Sequence, residues 1–188
     1  LYAADAGVFV AVSAGNSGPA SSTVAHPGPW LTTVAAGTHN RNGEGSVTLG
    51  NGVTYAGASV ATPVGPELFI DSTAAGLPGA DPTAVALCFA AVDNGGVPVL
   101  DPAMVAGKIV VCERGGNVLV NKSQAVLDAG GAGMVLLNTP VSNNTQLAIL
   151  HVIPTVHVGP GAGNVDYTAI DTYAATPGAT ASIAQSTI

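Results

Sequence analysis

Lys108-Ile109-Val110-Val111-Cys112 and Gly133-Met134-Val135-Leu136-Leu137-Asn138 are the two runs whose reading decides the fold. Both are short and aliphatic without polar alternation, the pattern of a strand buried on both faces. Between them, near Asn121–Ala129, the pattern turns helical, with Ala125, Val126 and Ala129 on one face. Gly130-Gly131 follow, where a helix end needs a left-handed residue. Strand, helix and strand in that order make a βαβ unit. Ile153-Pro154-Thr155-Val156-His157-Val158 reads as a further strand, and residues 46–57 alternate and turn at Asn51-Gly52, the hairpin dipeptide. Residues 61–82, rich in Pro, Gly and Ala, read as strands and loops leading into this module. The expected class is α/β, mixed and strand-rich: a β-sheet core with a βαβ unit and short flanking helices.

The composition agrees with that class. With 47% hydrophobic and 8% charged residues among 188, the chain has enough apolar material for a core. That material is mostly Ala and Val, and 25 Gly with 13 Pro imply many turns, which favours short strands over long helices. Arg41, Lys108, Arg114 and Lys122 are the only basic residues, against a net charge of −7. Four scattered cations make no phosphate-neutralising stripe, so nucleic acid is not an expected partner. No apolar run approaches the length of a membrane span. An acidic, lysine-poor, Thr/Ala/Gly-rich chain points to a secreted protein. A start at Leu1, without Met or signal peptide, reads as a piece of something longer.

Near the start, Val8-Phe9-Val10-Ala11-Val12 ends abruptly in Ser13-Ala14-Gly15-Asn16-Ser17-Gly18-Pro19. The run reads as a buried strand with an amide side chain at its end. A neutral NH₂ donor held there suits an oxyanion that exists only in a transition state. Alone, Gly-Asn-x-Gly is a common turn. With Ala6-Gly7 before it and Thr23-Val24-Ala25-His26-Pro27-Gly28-Pro29-Trp30-Leu31-Thr32-Thr33-Val34-Ala35-Ala36 after it, the segment resembles the oxyanion-asparagine region of subtilisin-like serine peptidases. The resemblance implies that Asn16 is the oxyanion donor, with Ser13, Ala14 and Gly15 lining the pocket for the substrate residue before the scissile bond.

A second resemblance covers roughly residues 60–165. Leu100-Asp101-Pro102-Ala103-Met104-Val105-Ala106-Gly107-Lys108, continuing through Glu113-Arg114-Gly115, then Lys122, Ala129-Gly130-Gly131-Ala132-Gly133-Met134 and Ile153-Pro154, is similar to the protease-associated (PA) domain. That domain is commonly inserted in subtilases between the oxyanion asparagine and the nucleophilic serine. The implied organisation is a catalytic-domain piece at 1–45, a PA domain with its lead-in hairpin at 46–165, and a return segment at 166–188. The end pieces would be fragments of a subtilase α/β layer, and burial of residues 8–12 would then come from the module, from a neighbouring copy, or not at all. Either a homodimer or mobile ends is expected. Cys88 and Cys112, an even count in a chain that looks exported, are expected to be bridged; two buried free thiols are the alternative.

A serine peptidase also needs Asp, His and Ser. No Asp-Ser-Gly or Asp-Thr-Gly, His-Gly-Thr, Gly-Thr-Ser-Met or Gly-x-Ser-x-Gly occurs. The chain is therefore expected to be inactive alone, although its parent would hydrolyse peptide bonds in peptide or protein substrates. The other class of answer is a non-catalytic protein-interaction module. No cofactor or metal is expected: neither GxGxxG nor a P-loop occurs, Asp93-Asn94-Gly95-Gly96 lacks the spaced carboxylates of a calcium loop, and the histidines His26, His39, His151 and His157 are spread out. Asn121-Lys122-Ser123 and Asn143-Asn144-Thr145 have the spacing of glycosylation sequons.

Overall fold

The computed structural model describes residues 1–37, 42–142 and 145–188; His39 and the sequon residue Asn143 lie outside the described residues. The chain divides into two compact units, Leu1–Asn40 and Arg41–Ile188.

The first unit has one helical turn, α1 (Tyr2–Asp5), and two short parallel strands, β1 (Ala11–Ser13) and β2 (Thr32–Val34), in register Ala11 to Thr32. None of its described residues is buried. The apolar run read as a buried strand is open, with Val8 56% and Phe9 78% exposed. Two three-residue strands and a single helical turn have no second layer to close over such a face.

The second unit is a closed seven-stranded barrel. Its strands are β3 (Glu44–Leu49), β4 (Thr54–Ala58), β5 (Val64–Asp71), β6 (Ile109–Glu113), β7 (Gly133–Leu137), β8 (Thr155–Val158) and β9 (Thr180–Ile183), in the order β3-β4-β8-β7-β6-β5-β9. β5 through β8 run parallel in the sequence β5-β6-β7-β8, while β3, β4 and β9 join antiparallel. The hairpin turns at Asn51-Gly52, where Asn51 Oδ1 accepts from Val53 N at 3.0 Å. Among the described residues of this unit the α-helices are α2 (Pro82–Ala86), α3 (Pro102–Val105), α4 (Leu119–Asp128) and α5 (Val165–Ala174). α2 and α3 start on Asp-Pro pairs, in which Asp81 and Asp101 each cap a backbone N–H at 2.9 Å and the proline sits where no donor is needed.

Alternation along β6 and β7 separates two cores. Ile109, Val111, Val135 and Leu137 join Val47, Val156 and Ile183 inside the barrel, with Ile170 of α5 in the same cluster. Val110, Cys112, Met134 and Leu136 face outward and pack with Val126 of α4 and Val105 of α3. Both faces of these strands are covered, hence the lack of polar alternation in their sequence. Each such Val, Ile or Leu contributes roughly 1.5–3 kcal/mol on burial. Residues 166–188 contribute most of α5 and all of β9, which lies between β3 and β5 and closes the barrel.

Candidate functional site

In the first unit, the turn after β1 is organised by backbone. Ala14 N donates to Val34 O at 3.1 Å, and Ala14 O accepts from Ala25 N at 2.9 Å. Ser13 O accepts from His26 Nδ1 at 2.8 Å, which puts the imidazole proton on Nδ1. Thr33 Oγ1 in turn donates to His26 O. Gly15 has φ +81°, and a Cβ there would stand 2.9 Å from Ala25 Cβ, so the position suits glycine on both counts. Asn16 follows on the exposed bend. Ser13, Ala14 and Gly15 thus form a short shelf beside an exposed amide.

In the second unit, Cys88 and Cys112 form a disulfide with Cα atoms 5.6 Å apart, joining the segment after α2 to β6. Beside it lies the most unusual side chain of the molecule. Lys122 of α4 is 0% exposed, and its Nζ donates to Leu87 O at 2.6 Å, Gly115 O at 2.8 Å and Asn117 Oδ1. Burial pulls its pKa down from 10.5 to about 7, while Asp93 and Glu113 act in the opposite sense. Asp93 accepts from Asn117 Nδ2 at 2.7 Å and Asn121 Nδ2 at 2.8 Å, and the Asn117 bond leads in holding its carboxyl below the usual range. The sequon residue Asn121 is therefore engaged within a helix whose next two residues, Lys122 and Ser123, are buried. A glycan on Asn121 Nδ2 would compete with its bond to Asp93.

Two further groups bear ionisable side chains. His157 of β8 is 1% exposed and His151 precedes the same strand; burial holds both pKa values down at about 4. On the other side, Tyr167 of α5 donates to Glu113 Oε1 at 2.5 Å. Burial, then that bond to Glu113, pushes the phenol upward; burial, then Asp71 and Glu113, pushes the Asp171 carboxyl upward. Among the described residues no group of three His, Cys, Asp or Glu side chains is placed to hold a metal ion.

The PA-domain family profile matches residues 71–165, half of the chain. The chain belongs to the PA-domain family. It is also similar to subtilisin-like proteases of Arabidopsis thaliana: SBT1.5 is 38% identical over 165 residues, covering 86% of this chain and 20% of that protein. SBT5.3 is 41% identical over 158 residues (84% and 20%), and SBT5.4 is 38% identical over 170 residues (89% and 20%). The chain spans about one fifth of the length of these relatives. Among solved structures, an aminopeptidase from Aneurinibacillus sp. strain AM-1 aligns with a TM-score of 0.42 at 16% identity, over 76% of this chain and 31% of that one.

The PA-domain match takes in the disulfide, Lys122, the half-buried His151 and the buried His157, but β3, β4 and β9 of the barrel lie outside it. Asn16 and its shelf belong to the other unit. In the sequence Lys122 stood out as one of four basic residues, as part of a sequon and as part of the PA-domain resemblance, but not as a buried group, because a lysine in a helix ordinarily marks a solvated face. The available signal was its setting: flanked by Asn121 and Ser123 and preceded by Asn117, it is the one cation of α4, with no acid at helical spacing on its N-terminal side. His157 and Asn138 were legible only as strand residues, since nothing in their spacing reveals that they face each other.

Proposed function

We propose that this chain is the PA-domain-bearing segment of a secreted subtilisin-like serine peptidase. Asn16 supplies the oxyanion donor of that enzyme, and Ser13, Ala14 and Gly15 line its pocket for the substrate residue before the cleaved bond. The observation that carries this reading is the extent of the similarity. At 38–41% identity it runs over 84–89% of the chain, well beyond the PA-domain range and therefore into flanking sequence. The chain's own residues do two things in this scheme. The first unit offers an amide to the acyl group under attack, and the barrel is a folded insertion that modulates substrate access or protein interaction. The nucleophile, base and orienting acid would come from elsewhere in the longer protein. Its substrates would be peptides or proteins. A homodimer is a compatible assembly, since exposed apolar groups such as Phe9 favour association.

The test is Asn16→Ala in the intact, active peptidase. The known cost of removing this donor in subtilisin itself, about 10²–10³ in kcat, is the size adopted here, with KM changing far less. A kcat within a factor of two of the parent's would overturn the assignment. The 188-residue chain alone should resist labelling by a fluorophosphonate probe, because no serine in it belongs to a nucleophile motif.

A further inference from the structure

Residues 145–152 pass against the outer side of β8. Thr145 O is anchored by Arg114 Nη1 and by Asn138 Nδ2 at 3.2 Å, and beyond it Leu147 and Val152 are held at two imidazole-bearing sites, both rings acting in the neutral form. A backbone N–H can only donate, so Leu147 N donates to His157 Nδ1 at 3.0 Å. The ring proton of His157 is then on Nε2, which donates to Asn138 Oδ1 at 2.7 Å. At the other end, Ser123 donates its hydroxyl proton to Val120 O at 2.7 Å. Ser123 Oγ therefore accepts from His151 Nδ1 at 3.0 Å and from Val152 N at 3.4 Å. That leaves His151 Nε2 as a lone pair, buried without a hydrogen-bond partner.

A proton added to either ring has nowhere favourable to go. On His157 it lands at Nδ1, where N–H then faces N–H and the Leu147 bond is lost. On His151 it lands on the buried, unpartnered Nε2, where no acceptor meets the new charge. The neighbours do not help. The charged and titratable groups acting on His157 are Arg114 and His151, both of which oppose a positive ring, and burial alone acts on His151. β4 and β7 flank His157 with Ala58 and Leu136, and Lys122 of α4 turns its Nζ toward Leu87 O and Gly115 O. Under the strap is a cavity of about 180 Å³, bounded by Val60, Ala61 and Thr62 on one side and by His151, Val152 and Ile153 on the other.

We propose that residues 146–152 are an acid-released strap, held on the barrel while His151 and His157 are neutral and freed beyond the Thr145 anchor, with the cavity beneath opened, when they take up protons. The sign follows from linkage. In the released strap each imidazole titrates at 6.5, and in the closed one at about 4. Between those values the released form binds more protons, so closure weakens as pH falls from 6.5 to 4 and is independent of these groups above that window. At pH 5 the opening constant rises by about 30-fold for each histidine.

The test is amide hydrogen exchange on the 188-residue chain from pH 7.5 to 5, corrected for intrinsic rates. Protection at Leu147 and Val152 should fall about 30-fold relative to Val110 of β6, the scale set by one histidine's linkage. Unchanged relative protection overturns the proposal. His157→Asn keeps an acceptor for Leu147, and His151→Asn keeps a donor for Ser123, and neither titrates. The double variant should show a flattened pH profile, and persistence of the wild-type profile overturns the proposal. Should that variant fail to fold, imidazole chemical shifts of the wild-type chain decide: midpoints well below 6 support the strap, and midpoints near 6.5 with Leu147 still protected refute it.

Discussion

Lys122 shows how a single residue can hold two segments that sequence keeps apart. Its ammonium donates to Leu87 O, next to Cys88, and to Gly115 O, three residues beyond Cys112, so cation and disulfide staple the same two strands of chain. Burying an ammonium costs several kcal/mol unless its protons are all engaged, and here three acceptors engage them. Lys122→Met preserves side-chain length but strands two carbonyl oxygens and Asn117, each costing about 1–3 kcal/mol. Relief of the ammonium's desolvation offsets part of that, leaving an expected loss of about 2–4 kcal/mol in urea unfolding. A gain in stability would show that desolvation outweighs the three bonds.

At the scale of elements, the disulfide links the segment after α2 to β6 across a sequence separation of 24. Closing a loop of that length removes denatured-state entropy equivalent to roughly 3–4 kcal/mol. Both sulfurs are buried in the outer core, so Cys88→Ala with Cys112→Ala also removes packed atoms. The double variant is expected to lose about 3–5 kcal/mol in guanidinium unfolding and to remain insensitive to reductant, whereas the parent chain should be destabilised by it. β4 and β8 meet under a tighter constraint: a Cβ at Gly57 would come within 2.4 Å of His157 O, so any side chain there forces the two strands apart.

At the scale of the whole molecule, the two units differ in kind. Residues from Arg41 onward have two hydrophobic cores, while no described residue of Leu1–Asn40 is buried. A chain beginning at Arg41 is expected to keep a single cooperative thermal transition, because every strand of the barrel lies within it. Removing residues 1–40 also removes the exposed Val8 and Phe9, so self-association seen by light scattering should decrease. A broad, non-cooperative transition in the shortened chain would mean that the barrel does not fold as an independent unit.

Local patterns in the sequence were sufficient for β6, α4, β7 and the Asn51-Gly52 hairpin, because a doubly buried strand, a helix face ending in glycine and a two-residue turn are written within a few neighbouring residues. They were also sufficient for the PA-domain resemblance, whose motifs sit on β6, α4 and β7, at α3 and just before β8. Closure of the barrel by β9 was not legible, since it depends on Thr180–Ile183 pairing with strands more than a hundred residues earlier. The openness of residues 8–12 escaped the sequence for a related reason: hydrophobicity says that a strand can be buried, and only the tertiary arrangement says whether anything covers it. Lys122, His151 and His157 follow the same rule. Their residue types were visible from the start, but the direction of each hydrogen bond, and hence which protonation state the fold requires, arose only when α4, β8 and the loops beside them came together.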